Sequence, residues 1–200
     1  MLKKFIFLIS IGLCCNLTTL AQIFDAGVFV GLTASQISGD ELAGFHQPGG
    51  SAGIQLISEK NKLSFGFGLY INQKGSRATS KNLGTRKQYR LRLNYVEVPF
   101  FINYAFQKFK FYLSPSINIL ASAKEFDQFG EKPLATPFRR FELAAEAGIT
   151  YEIAKQLSVR LGYGYSLLPV RKFDGQGISF NDGQYNEWLR TGLVYLLRAK

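Results

Sequence analysis

The chain has 200 residues, 46% of them hydrophobic and only 19% charged, and its 18 Phe, 10 Tyr and 20 Gly exclude a disordered chain and disfavour a helical bundle. A net charge of +10 raises nucleic acid, an anionic membrane or lipopolysaccharide as partners. Mean hydropathy of +0.01 excludes a polytopic helical membrane protein but leaves open a membrane β-barrel, whose alternating strands average to zero.

Lys3 and Lys4 precede a nearly unbroken apolar run at residues 5–13, and Thr19-Leu20-Ala21 offers small residues where a signal peptidase cuts. The run is too short to span roughly 30 Å of hydrocarbon, which takes about 20 apolar residues. Residues 1–21 are therefore expected to be a cleaved export signal, and residues 22–200 the mature domain. Leu13 directly before Cys14 fits lipoprotein processing poorly. Cys14 and Cys15 both fall in the leader, so the mature domain has no thiol or disulfide chemistry. Without Lys3 and Lys4 its formal charge is +8.

Period-two alternation dominates the rest. The first strand sets Phe24, Ala26, Val28, Val30 and Leu32 against Asp25, Gly27, Gly31 and Thr33. A weaker strand follows at residues 50–57. In the sharpest, at 63–72, Leu63, Phe65, Phe67, Leu69 and Ile71 share one face, and Ser64, Gly66, Gly68, Tyr70 and Asn72 the other. At 89–104 the apolar phase changes from Leu91, Leu93 and Tyr95 to Val96, Val98, Phe100 and Ile102, which predicts a β-bulge near Tyr95 and Val96. Phe109, Phe111, Leu113, Ile117 and Ile119 then oppose Lys110, Ser114, Ser116 and Asn118. Phe141, Leu143, Ala145, Ala147, Ile149 and Tyr151 oppose Glu142, Glu146, Gly148 and Thr150. Leu157, Val159, Leu161, Tyr163, Tyr165 and Leu167 oppose Ser158, Arg160, Gly162, Gly164 and Ser166. Residues 187–197 complete eight strands. Pro99 and Pro115 each remove a ladder donor from their strands.

Short connections at 58–62, 105–108 and 153–156 alternate with long ones at 38–49, 75–88, 122–139 and 171–186. The similar openings Leu63-Ser64-Phe65, Phe109-Lys110-Phe111 and Leu157-Ser158-Val159 recur at 46 and 48 residues, so the repeating unit is a strand pair. This describes an all-β, eight-stranded antiparallel up-and-down transmembrane β-barrel with short periplasmic turns and long outer loops. Its apolar faces are long enough for the roughly 9–11 residues a tilted strand needs to cross a bilayer. A soluble lipocalin-like barrel would instead enclose an apolar cavity behind a polar exterior. Tyr104, Phe106, Phe109 and Tyr151 near the turns, with Tyr89, Tyr165 and Trp188 near the loops, are expected to form two aromatic girdles.

Four stretches carry a family resemblance: Gly31-Leu32-Thr33-Ala34-Ser35-Gln36-Ile37 with Gly39-Asp40; Gln73-Lys74-Gly75-Ser76; Leu91-Arg92-Leu93-Asn94-Tyr95-Val96-Glu97-Val98-Pro99; and Ser166-Leu167-Leu168-Pro169. On these the chain resembles the PorT-like outer-membrane β-barrel family of the Bacteroidetes. The resemblance implies an outer-membrane location in a Gram-negative bacterium and an eight-stranded barrel. The carboxyl end departs from the pattern: it reads Tyr195-Leu196-Leu197-Arg198-Ala199-Lys200, where such barrels usually finish on an aromatic. The secretion role of the name-giving member is not carried over.

Chemistry is sparse. Lipid A-modifying barrels use a His with a Ser and a carboxylate, and here His46 is the single histidine, in the first long loop without an obviously spaced Ser. A solvent-exposed loop residue is the expected reading of His46. One His and no mature Cys support neither a metal nor a cofactor. Gly66-Phe67-Gly68 and Gly162-Tyr163-Gly164 lack a following helix, and are read as glycines on a crowded lumen face rather than phosphate loops.

By parity Asp25, Glu142, Glu146, Arg160 and Arg190 point into the lumen, where unpaired charge is costly. A Glu146–Arg160 pair is expected, with Arg190 and Asp25 near the closing seam. Lys74, Arg77, Lys81, Arg86, Lys87, Arg90 and Arg92 surround the second long loop with no acidic residue among them in the loop. This cluster is either a contact for lipopolysaccharide phosphates or a solvated loop. Export removes nucleic acid from the partners; outer-membrane lipid and envelope or secretion-system proteins remain. The expected function is a non-enzymatic outer-membrane barrel with a surface binding or scaffold role. The alternatives are a lipid A-modifying barrel enzyme and a soluble periplasmic binding barrel.

Overall fold

The computed structural model describes residues 24–40, 42, 44–78, 89–134, 136–172 and 183–197. The expected export signal, and Lys81, Arg86 and Lys87, lie outside them. The described chain forms ten strands: β1 (Asp25–Ser38), β2 (Gln47–Lys60), β3 (Leu63–Arg77), β4 (Arg90–Phe106), β5 (Phe109–Asp127), β6 (Gly130–Lys132), β7 (Phe141–Ala154), β8 (Leu157–Ser166), β9 (Arg171–Lys172) and β10 (Gly183–Leu197). The eight long strands pair antiparallel in the order β1-β2-β3-β4-β5-β7-β8-β10. β10 then pairs with β1, from Ala26 opposite Leu197 to Ser38 opposite Tyr185, and the sheet closes. The expected eight-stranded up-and-down barrel is the fold. β6 and β9 are short additions within the loops, on the end of β5 and the start of β10.

Alternation sets the two faces of the wall. On β3, Leu63, Phe65, Phe67, Leu69 and Ile71 are exposed, while Ser64, Tyr70 and Asn72 are buried on the reverse side. β5 exposes Phe109, Phe111, Leu113, Ile117 and Ile119 and buries Tyr112, Ser114, Ser116 and Asn118. An exterior this apolar has lipid as its solvent, since soluble proteins rarely expose apolar patches beyond a few hundred Å². A closed sheet is also one of only two ways to satisfy every backbone group in hydrocarbon. The soluble lipocalin-like alternative is overturned, because the exterior of the wall is apolar and the charged and amide side chains are gathered inside.

Several strands run well past the roughly 9–11 residues that a bilayer requires, β5 reaching 19. They consume sequence expected to be turn or loop. The turns between β2 and β3, β4 and β5, and β7 and β8 shrink to two residues each. Asn61 and Gln107 take left-handed conformations there, with φ of 59° and 55°. Pro115 leaves its mark as a break in the β4–β5 ladder between Pro99/Ser116 and Ile102/Leu113.

The register irregularity falls between Asn94 and Tyr95, beside the expected bulge, but β4 does not change face. Leu91, Leu93, Tyr95 and Glu97 are all buried. The extra residue is Ala121 of β5, skipped where Asn94 opposes Ser122 and Tyr95 opposes Leu120. The apolar phase changes on β4 because the lumen itself turns apolar near the outer mouth, where Ile37, Leu91, Leu93 and Tyr95 pack together with Leu120 and Ala123.

Only the turn-side girdle stands as expected. Tyr104, Phe106, Phe109 and Tyr151 are exposed, with the Phe109 and Tyr151 rings 5.1 Å apart. Trp188 is wholly buried in the lumen, Tyr89 packs on the apolar cluster at the outer mouth, and Tyr165 stacks on Tyr185 at 5.6 Å. Trp188 follows the same parity as Arg190, which is why it turns inward.

A left-handed non-glycine residue costs roughly 1–2 kcal/mol, less for Asn, against which glycine adds unfolded-state entropy. Gln107→Gly is therefore expected to raise the unfolding free energy by about 0.5–1 kcal/mol, and Asn61→Gly by less, read from urea unfolding in lipid vesicles.

Candidate functional site

The lumen holds the densest polar chemistry among the described residues, and its side chains come from the inward parity of each strand. On β3, Lys74 continues the inward series of Tyr70 and Asn72. Its Nζ lies 3.1 Å from Glu142 Oε2, and neither side chain touches solvent. The same ammonium sits 3.5 Å from the Trp188 ring centroid and 5.1 Å from that of Tyr95. Glu142 accepts further hydrogen bonds from Asn118 Nδ2 at 3.0 Å, Asn186 Nδ2 at 2.9 Å and Ser166 Oγ. A buried carboxylate is tolerable when its lone pairs are occupied in this way.

Arg190 sits deeper, opposite Gly162 of β8. One terminal nitrogen donates to Glu97 Oε2 at 2.7 Å, and Nε lies 3.2 Å from Glu146 Oε2 in an ion pair without hydrogen-bond geometry. Glu97 also accepts from Asn72 Nδ2 at 2.9 Å. Glu146 accepts from Trp188 Nε1 at 2.6 Å and from the Tyr112 hydroxyl at 2.7 Å. Gly162 and Gly164 make this fit possible: a Cβ at Gly162 would stand 2.1 Å from the Tyr112 hydroxyl, and one at Gly164 2.1 Å from the Trp188 ring. The expectation that these glycines serve a crowded lumen holds.

Arg160, nearer the turns, has rings for partners. Its Cζ lies 5.6 Å from the Phe29 centroid, 4.7 Å from Phe101 and 5.2 Å from Tyr112, all within cation–π range. A terminal nitrogen donates to the Tyr70 hydroxyl at 3.1 Å, which itself donates to Gln55 Oε1 at 2.6 Å. Phe29 and Tyr70 stack 5.3 Å apart with planes 6° from parallel.

Glu142, Glu146, Arg160 and Arg190 are thus all buried in the lumen, as their parity implied. The expected Glu146–Arg160 pair is not formed. Glu146 opposes Gly164 whereas Arg160 opposes Thr150, four residues along β8, or roughly 13 Å. Arg190 is closer and takes the carboxylate. Asp25 is half-buried at the turn end of β1, eight residues along from Thr33, which opposes Arg190. The seam residues Asp25 and Arg190 therefore occupy different levels.

Lys74 is corrected from loop contact to lumen cation, because it lies on a strand extending past residue 72. Glu97 was missed, although Val96-Glu97-Val98 alternates and places it on the inner face. Arg77, Arg90 and Arg92 stay on the outside of the wall, Arg77 directly opposite Arg90. His46 is exposed, beside Gly44. No group of three or more His, Cys, Asp or Glu is placed to hold a metal among the described residues.

Desolvated cation–π contacts are worth about 2 kcal/mol or more. Arg160→Met is expected to lower stability in lipid vesicles by about that amount, and Arg160→Lys by less, because the ammonium keeps its attraction to the rings. Unchanged urea midpoints for both would remove Arg160 from the structural core.

The outer membrane protein beta-barrel domain family matches this sequence over residues 20–171. No curated protein sequence matches. Among solved structures, Neisserial surface protein A (NspA) is similar with a TM-score of 0.53 and 12% identity, over 86% of this chain and 96% of that one. The attachment invasion locus protein Ail of Yersinia pestis, in complex with the heparin analogue sucrose octasulfate, is similar with a TM-score of 0.53 and 13% identity, over 87% of this chain and 99% of that one. At such identity these two likenesses speak to fold alone. The family match covers most of the chain and coincides with a closed eight-stranded sheet, so the protein belongs to the outer membrane protein β-barrel domain family.

Proposed function

We propose that this protein is a non-enzymatic outer-membrane barrel of a Gram-negative bacterium, exported by the leader at residues 1–21, that binds or scaffolds at the cell surface in support of secretion or envelope integrity. The observation that carries the reading is the filled and charge-matched lumen. Lys74, Arg160 and Arg190 share the lumen with Glu97, Glu142 and Glu146, packed among Phe29, Tyr70, Tyr95, Tyr112 and Trp188, and the fourth buried carboxylate, Glu125, is paired with Lys132 at 3.3 Å. The space beneath Arg160, lined by Gln55, Asn103 and Thr150, is about 20 Å³, close to one water. A conducting pore or an enclosed substrate site needs far more room.

Binding is thereby left to the exterior and the loops. Phe129, at the β5–β6 hairpin, is 89% exposed and is available as an aromatic anchor for an envelope partner.

Two measurements test this. The purified barrel is expected to be silent in planar lipid bilayers, and a deletion strain to keep the parental lipid A mass profile. Steady conductance would contradict the sealed lumen. A changed acylation pattern restored by wild type but not by His46→Ala would establish the enzymatic alternative.

A further inference from the structure

The outer surface over β1–β5 changes chemistry row by row toward the loops. One outward row, paired across the strands, is apolar: Val30, Ala52, Ile71, Val96 and Ile119. Because Gly50, Ala52 and Ala121 have little or no side chain, the wall is hollowed there into a groove of about 560 Å³ between Val30, Ile71 and Val96. This is within the roughly 300–1,000 Å³ of ordinary ligand sites. The bulge residue Ala121 forms one edge, and bulges commonly re-aim the wall beside functional sites.

Directly above runs a ledge of paired polar groups. Gln73 Nε2 donates to Asn94 Oδ1 at 2.9 Å, and Asn94 Nδ2 to Ser122 Oγ at 2.8 Å. The next row opposes Arg92 to Lys124, and the one beyond opposes Arg77 to Arg90. Rows are roughly 7 Å apart along the strands, so the cations stand about 13–20 Å above the apolar row. Lys124 is paired with Glu131 at 3.0 Å, whereas Arg77, Arg90 and Arg92 crowd one another with no carboxylate paired to them among the described residues. Arg90 Nε donates to Gln47 Oε1 at 3.2 Å, and the Arg92 guanidinium stacks 5.6 Å from the Phe126 ring with its Nε unpartnered. Adjacent like charges of this kind are stabilised by an anion with several acceptor oxygens.

We propose that this wall is a binding site for one lipid A molecule of the outer leaflet, with an acyl chain in the Ala52–Ile71–Val96 groove, its polar linkage against Gln73 and Asn94, and a phosphate on Arg77, Arg90 and Arg92. The proposal rests on the outer-membrane reading above and names the partner of its exterior. A cationic loop alone would take any anion. The apolar groove, polar ledge and arginine rows in one vertical line match a phosphorylated lipid.

The test is native mass spectrometry of the full-length mature barrel released from nanodiscs containing bis-phosphorylated lipid A, its dephosphorylated form, or phosphatidylglycerol. One bound bis-phosphorylated lipid A per barrel is expected, reduced at least ten-fold with the dephosphorylated lipid and in the triple variant Arg77→Gln/Arg90→Gln/Arg92→Gln. Ala52→Trp, which fills the groove, is expected to lose the lipid likewise. The triple Arg→Lys variant keeps the charge and is expected to retain most binding, which separates loss of phosphate contact from misfolding. Equal retention by wild type and the Gln triple, equal retention of phosphatidylglycerol, or no retention at all would overturn the site while leaving the barrel reading intact. Bound lipid that emerges lighter by an acyl chain would overturn the non-enzymatic reading and leave the site standing.

Discussion

Closure of β1 on β10 fixes the circumference of the sheet, and with it the volume that inward side chains must fill. In hydrocarbon the sheet has no other option, since an open edge would leave unpaired N–H and C=O groups against lipid. Eight strands enclose an interior narrow enough for side chains to occupy completely. Each inward position is therefore set against those across the lumen as well as those beside it. Large residues on one wall require absent ones on another: Trp188 lies over Gly164, and the Tyr112 hydroxyl over Gly162.

Charge follows from the same constraint. Lys74, Arg160 and Arg190 are out of reach of bulk water, so each is met by carboxylates or by aromatic faces. Two different solutions coexist in one lumen. Lys74 and Arg190 meet carboxylates that are themselves saturated by amide, hydroxyl and indole donors. Arg160 is held by three ring faces and the Tyr70 hydroxyl. Removing one member of a buried pair costs more than the pair contributes net. The network therefore fixes which strands and which register can close, beyond any stability it adds.

Much of this was legible in the sequence because a membrane barrel obeys one strict rule, the alternation of faces. Parity placed Glu142, Glu146, Arg160 and Arg190 inside, and the exposed Leu63-to-Ile71 series outside. Parity is obscured where another local signal competes with it. Lys74 was grouped with its charged neighbours although it sits two residues beyond inward Asn72. Trp188 was read as an interfacial aromatic although it shares the phase of Arg190. The apolar shift on β4 reflected an apolar outer mouth, and the extra residue lay unannounced on β5 as Ala121. Pairing partners across the lumen could not be read at all. Glu146 meets Arg190 because of strand stagger and the room left by Gly162, neither of which is a local property of the chain.

The lumen is a charge-compensated core. The most direct measurement is a double-mutant cycle on Lys74→Met and Glu142→Gln, by reversible urea unfolding in lipid vesicles. Each single change is expected to cost about 3–5 kcal/mol, because it strands a buried charge, and the double variant to recover about 2 kcal/mol or more of their sum. Strictly additive single effects would contradict charge compensation, since they would mean that the two groups do not depend on each other.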